Sequence, residues 1–189
     1  HDGQLYTLRA GGQPARVPVT IRVDGKANAT QVVAVNGGAR ELVVSPTGKE
    51  VAFIFRGDVF VTSVEGGVTK RLTATPGAEA GLAFSPDGKA IAYAAERDGR
   101  WGVYETRRAR DAEPYFYAST VVRETALIVN ERQNRQPRYS PDGKELAFVE
   151  DRTTLRVRTL DGGATRTLLD RRHLWGETQR FEWSPDGKW

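Results

Sequence analysis

The chain has 189 residues but no cysteine, no methionine and only two histidines, His1 and His173. Without cysteine it cannot form disulfides or thiolate metal sites, and two histidines this far apart in sequence cannot build a histidine-rich metal centre. No apolar run approaches the roughly 20 residues that a membrane-spanning helix requires. We therefore expect a domain with no metal, no cofactor and no membrane span.

Charge of either sign is spread along the chain and not concentrated. The sequence holds 28 Lys and Arg residues against 24 Asp and Glu residues, for a formal net charge of +4. The densest basic segment, residues 107–110, fits a solvated loop better than a polyanion site. Because no basic block marks a nucleic-acid interface, we do not expect nucleic acid as a partner.

The most prominent feature of the sequence is a repeated pentad, Ser-Pro-Asp-Gly-Lys. It begins at Ser85, Ser140 and Ser184, and a near copy with threonine in third place begins at Ser45. Proline fixes φ at the second position, aspartate bonds to nearby backbone, and glycine adopts a left-handed conformation at no steric cost. Each pentad follows an apolar or aromatic run, so it predicts the turn of a β-hairpin.

The spacing of the pentads predicts an all-β fold, a β-propeller. Four copies at a period close to one blade indicate about four four-stranded blades. The approximate divisions are a partial blade 1–35, blades 36–79, 80–135 and 136–179, and a partial blade 180–189. Because both ends interrupt a repeat, we expect a larger ring and a chain that is an internal piece of a longer protein.

The second blade is predicted to carry an insert. Residues 108–135 are more numerous than the repeat needs, and within them 115–122 and 126–129 are β-prone. We expect them to form a long outer hairpin. Seven aromatic residues are expected to pack between blades because they recur at equivalent repeat positions. They are Phe53, Phe60, Phe84, Tyr93, Phe148, Phe181 and Trp183.

No catalytic site is predicted within the chain. Asp87, Asp142 and Asp186 suggest a carboxylate cluster, but they occupy the same turn position in successive blades. A Ser-His-Asp triad through His173 lacks any segment that resembles a nucleophile elbow. The turn residues Arg97 and Asp98 are our candidates for one mouth of the propeller channel, and the alternative is a local salt bridge or plain solvation.

The repeats resemble those of TolB-type propellers. Besides the pentad, the resemblance is carried by Arg97-Asp98-Gly99, Gly66-Gly67 and Arg71-Leu72-Thr73. Residues 56–67, 113–120 and 151–155 more narrowly resemble the amino-terminal propeller of bacterial tricorn-like serine peptidases. Thr47 departs from the usual aspartate of the pentad.

The resemblance implies a function that the residues alone do not. In tricorn-like peptidases the propeller precedes a PDZ module and a tail-specific protease core, and the proteins are commonly periplasmic. It therefore implies a segment that admits or binds a peptide or protein substrate, beside its own downstream PDZ and protease domains, with self-association left open. None of that family's catalytic positions falls within this chain. The alternatives are a non-catalytic TolB-like interaction propeller of the cell envelope and the propeller of a prolyl-oligopeptidase-like enzyme.

Overall fold

The computed structural model describes residues 5–19, 37–170 and 181–188. The chain divides into two units, residues 1–36 and 37–189. In the first unit β1 (Leu5–Thr7) pairs antiparallel with β2 (Ala15–Val17). In the part of the chain that the structure describes, every element is a strand, and no helix is long and apolar enough to cross a membrane.

The second unit contains three four-stranded antiparallel sheets, each formed by four strands consecutive in sequence. The first sheet consists of β3 (Arg40–Val44), β4 (Glu50–Phe55), β5 (Asp58–Ser63) and β6 (Thr69–Arg71). The second consists of β7 (Glu79–Phe84), β8 (Ala90–Arg97), β9 (Arg100–Arg108) and β10 (Val122–Ile128). The third consists of β11 (Asn134–Tyr139), β12 (Glu145–Glu150), β13 (Thr154–Thr159) and β14 (Thr165–Asp170). This architecture confirms the all-β, blade-like fold predicted from the pentad spacing.

The first three pentads form the predicted turn between the first two strands of a sheet, and the fourth forms the same turn, with the Gly187 N–H donating to the Ser184 carbonyl at 2.8 Å. In the second sheet the Gly88 N–H donates to the Ser85 carbonyl at 2.8 Å, and Gly88 has a φ of 67°. Asp87 accepts the Ser85 hydroxyl at 2.5 Å and the Lys89 N–H at 3.0 Å, so its carboxylate is committed to its own turn. The four pentad glycines share this left-handed conformation, which L residues adopt only at a cost.

Successive pentads also touch one another. A Cβ placed on Gly143 would lie 3.6 Å from Cδ of Pro86, and one on Gly187 would lie 3.7 Å from Cδ of Pro141. The proline of one turn therefore packs on the glycine of the next turn. The repeat couples neighbouring sheets as well as reversing the chain within each of them.

The first strand of each sheet carries a bulge that the sequence does not reveal. Pairing skips between Arg40 and Val43, and equivalent register shifts occur in β7 and β11. The bulge places Glu41 (φ 53°), Gly81 (φ 71°) and Gln136 (φ 54°) in the left-handed region. The Glu41 carboxylate accepts the N–H of Gly81, which links the first strands of two successive sheets.

Two apolar clusters fill the seams between sheets. One joins the first and second sheets around Ile54, Val61 and Tyr93, and the other joins the second and third around Val103 and Phe148. The expected aromatic packing is present at Tyr93 and Phe148, which are 0% and 1% exposed.

The insert differs from the predicted hairpin. Residues 126–128 do lie in β10, which pairs with β9, but 115–121 lie outside any strand, so that part of the prediction is wrong. Phe116 is fully buried in the seam between the first and second sheets. The β-prone residues around Phe116 instead form an irregular segment in which one ring enters the core while Tyr115 and Tyr117 stay half-exposed.

Candidate functional site

The predicted pair Arg97 and Asp98 lies at a cleft on the second sheet. The turn that joins β8 to β9 faces the chain that leaves β10, and between them is a cleft of about 420 Å³. Arg97 pairs with Arg100 across the hairpin, and the two turn residues have φ values of 53° (Asp98) and 76° (Gly99). An Asp-Gly turn with both φ values positive suits the right-handed twist of a hairpin, which is why this sequence reverses here.

Aromatic and aliphatic side chains form one part of the cleft lining, and charged and amide side chains form the rest. Trp101 and Tyr104 from β9 are half-buried, and Val129, just after β10, is 60% exposed. A Cβ on Gly102 would lie only 3.0 Å from the Ile128 carbonyl oxygen. The missing side chain therefore lets the end of β10 approach β9 closely and shapes the base of the cleft.

Arg97 is held by a buried polar network. Its Nη1 lies 2.9 Å from Oε1 of Glu79, and its Nη2 lies 3.3 Å from Oε1 of Glu124. The Glu79 side chain is fully buried and also accepts the hydroxyls of Thr73 and Thr75. Burial raises the pKa of Glu79, although these donors oppose the shift.

The two predicted residues have different surroundings. Arg97 belongs to an ion-paired network, as the alternative interpretation of this turn supposed, whereas Asp98 is exposed at its tip. Both line the same cleft. Their place at a channel mouth remains a prediction, because the geometry describes a cleft of one sheet.

Further contacts hold the edge of the cleft and the side chain of Trp101 in place. Arg100 and Glu131 form an exposed ion pair of 3.0 Å from one side of the cleft to the other. The Arg135 guanidinium stacks on the Trp101 ring, 3.9 Å from its centroid, and the backbone N–H of Trp101 donates to Gln133 Oε1 at 3.3 Å. The sequence carried no signal for these contacts, because they join residues more than 30 positions apart.

A second cleft of about 350 Å³ lies at the pentad end of the same sheet. Lys89 and Asp111 form an ion pair there at 2.9 Å, and Arg107 lies 3.8 Å from Asp87. Its lining is almost entirely charged, with three cations against two carboxylates, and Nε of Arg108 is buried without a hydrogen-bond partner. It lacks the aromatic walls that ligand sites usually have.

The remaining sequence candidates do not form a catalytic centre. Asp142 and Asp186 each accept the serine hydroxyl and lysine N–H of their own pentad, as Asp87 does. These bonds lower the pKa of Asp142, with the Ser140 hydroxyl as the largest cause. His173 lies outside the described residues. Across residues 5–19, 37–170 and 181–188, no group of three or more histidines and carboxylates could hold a metal ion.

Comparison with known proteins supports the fold and gives a weaker indication of function. No protein-family model matches the chain. It is 28% identical over 109 residues to the uncharacterized peptidase YuxL of Bacillus subtilis, an overlap that covers 56% of this chain and 15% of that protein. The chain therefore spans only a small part of this curated relative.

The structural neighbours include propeller proteins of two kinds. A putative TolB from Agrobacterium tumefaciens superposes with a TM-score of 0.57 at 23% identity, over 89% of this chain and 55% of that one. The tricorn protease superposes with a TM-score of 0.51 at 14% identity, over 82% of this chain and 15% of that one. At these identities the likeness shows the fold alone: the chain has a TolB-like β-propeller fold.

Proposed function

We propose that this chain is the propeller segment of a tricorn-like serine peptidase. In this role it admits and binds peptide substrate, and hydrolysis is carried out by a domain outside the chain. A periplasmic or envelope location and peptide or protein substrates are part of the same proposal. Association with PDZ and protease domains of the same polypeptide, or with further copies, also belongs to it.

One observation carries the peptide-binding part of the proposal. The cleft beside Arg97 and Asp98 places the apolar side chains of Trp101, Tyr104 and Val129 next to charged and amide side chains, so it can offer a peptide both apolar and polar contacts. Separate observations support hydrolysis by a domain outside this chain. Each pentad aspartate is hydrogen-bonded within its own turn, and similarity to a peptidase-named protein links the chain to proteolysis.

Activity-based labelling of the intact protein tests the proposal. A serine-directed fluorophosphonate should label the polypeptide that contains this chain, and excess unlabelled peptide substrate should slow the labelling. Heat-denatured protein is the control, because labelling of a folded catalytic serine is lost on unfolding. Absence of labelling in active extracts, together with absence of peptide hydrolysis by the purified protein, would contradict a peptidase role.

A second candidate function is a non-catalytic, TolB-like interaction propeller of the cell envelope. The fraction of the neighbour's chain that is covered favours it: 55% of the putative TolB against 15% of the tricorn protease. In that case the intact protein would resist labelling, and cross-linking in cells would capture a discrete envelope protein. The two experiments together separate the candidates, since a peptidase is labelled whether or not it has such a partner.

A further inference from the structure

We infer that the cleft on the second sheet selects a large apolar or aromatic side chain of a peptide over a charged one. The inference rests on the proposed function in taking a peptide as the ligand. It specifies which class of peptide side chain binds and assigns this selectivity to Trp101, Tyr104 and Val129.

The size and the walls of the cleft favour a single large side chain. A volume of about 420 Å³ is near the lower end of the range for ligand sites, roughly 300–1,000 Å³. Two aromatic rings and an exposed valine offer an apolar surface that is now in contact with water. When an apolar ligand covers that surface, both are removed from water, and this burial favours binding without any directional bond.

The aromatic walls are already fixed before a ligand arrives. Arg135 stacks on Trp101 at 3.9 Å from the ring centroid, and Arg97 lies 5.1 Å from the centroid of Tyr104. Arg97 is itself anchored by Glu79 and Glu124. Because these rings have little freedom left to lose, binding costs little ordering entropy.

Two of the cationic side chains beside the cleft are already ion-paired, which disfavours a charged side chain of the ligand. Arg97 is paired with two glutamates, and Arg100 with Glu131. An acidic or basic ligand would have to lose its hydration or separate one of these pairs. Asp98 remains as a carboxylate that a cation could approach, but an ion pair at so exposed a position adds little affinity.

Calorimetric titration with blocked tripeptides tests this selectivity. The probes are acetyl-Gly-X-Gly-amides in which X is Phe, Leu, Arg or Glu, so that only the central side chain changes. We expect the Phe and Leu peptides to bind at least about tenfold more tightly than the Arg and Glu peptides, the direction that desolvation of charge imposes. Equal affinity for all four would overturn the selectivity yet leave peptide binding in place, and no binding of any probe would overturn the inference outright.

Two exposed valines provide a matched pair of variants. Val129→Lys places a cation on the cleft wall, whereas Val68→Lys makes the same change in the connection between β5 and β6, and the two side chains are 60% and 61% exposed. Both proteins should fold normally, which thermal unfolding verifies. Val129→Lys should weaken Phe-peptide binding by at least about tenfold and Val68→Lys should not change it. Unchanged binding to Val129→Lys would overturn the inference, while fluorophosphonate labelling judges the peptidase proposal independently of either result.

Discussion

Oε1 of Glu50 accepts the backbone N–H of Phe116 at 2.6 Å and joins two sheets across 66 positions of sequence. The same oxygen accepts the Tyr117 N–H at 3.3 Å, and Glu50 is only 2% exposed. From the same insert, Ser119 accepts the Lys70 ammonium of the first sheet. The insert of the second sheet is therefore fastened to the first sheet, and its buried ring completes their shared core.

Glu50→Ala should destabilise the protein by about 2–4 kcal/mol, because it leaves two backbone donors buried without an acceptor. Glu50→Gln keeps a carbonyl oxygen in place and removes a buried charge, so its cost should be about 1 kcal/mol or less. Urea unfolding followed by fluorescence measures both values. The exposed Glu65 supplies the control, and Glu65→Ala should stay within about 0.5 kcal/mol of the wild type. Equal losses for the Gln and Ala variants would show that the charge, and not the acceptor, holds the insert.

The sequence predicts the repeated features of this fold far better than the features that occur once. Each pentad predicts its own turn, because proline, aspartate and glycine determine the backbone conformation at their own positions. In the sequence Glu50 is an ordinary polar residue at a strand start, and only contact with the insert makes it a buried acceptor. Glu41 and Gln136 adopt positive φ although neither is glycine, because the register of the sheet imposes the bulge.

The candidate site was predictable only in part, for the same reason. Arg97-Asp98-Gly99 is recognisable as a charged turn, and the structure does place both charged residues at a cleft. The walls come from β9 and from the end of β10, and Gly102 is what brings them together. No local pattern identifies a glycine whose role is to admit a neighbouring strand.

Removing the charge of Arg97 should lower the stability of the protein far more than removing the charge of Asp98. Arg97→Gln leaves the buried Glu79 without its cationic partner, so we expect a loss of about 2–4 kcal/mol in unfolding free energy. Asp98→Asn should change stability by no more than about 0.5 kcal/mol, because the residue is exposed and asparagine tolerates a φ of 53°. Thermal and urea unfolding of the two variants side by side measures the contrast. A large loss for Asp98→Asn would reveal a structural role that its exposure does not indicate.

The pH dependence of Glu79 has a definite sign. Its pKa is raised by burial, so the folded state holds its proton more tightly than the unfolded chain does. The stability from this group is therefore fully present below the unfolded pKa, near 4.3, and is lost as pH rises through the raised folded pKa. Glu79→Gln removes this titration, so the stability of wild type relative to the variant should fall between pH 4 and pH 8. Unfolding free energies of both proteins should be measured across that range. A wild type that becomes more stable relative to the variant as pH rises would contradict a raised pKa for Glu79.

Thr47 is the one pentad position where a stabilising substitution can be designed from the other copies. Its hydroxyl lies 3.1 Å from the Ser45 hydroxyl and 3.4 Å from the Lys49 nitrogen, whereas the equivalent distances at Asp87 are 2.5 and 3.0 Å. A carboxylate forms shorter and stronger bonds to the same two donors. Thr47→Asp should therefore raise the unfolding free energy by about 0.5–1 kcal/mol at pH 7.

The reciprocal substitution and the pH dependence test the reason for this gain. Asp142→Thr should lower the unfolding free energy, because it removes the hydrogen-bonded carboxylate from an equivalent turn. The pKa of Asp142 is lowered by those hydrogen bonds, so its stabilisation is present above the unfolded pKa and is lost as pH falls through the folded pKa. The advantage of Thr47→Asp should disappear in the same direction, below about pH 4. A gain that persists in acid would mean that the new residue acts through its backbone preference and not through its charge.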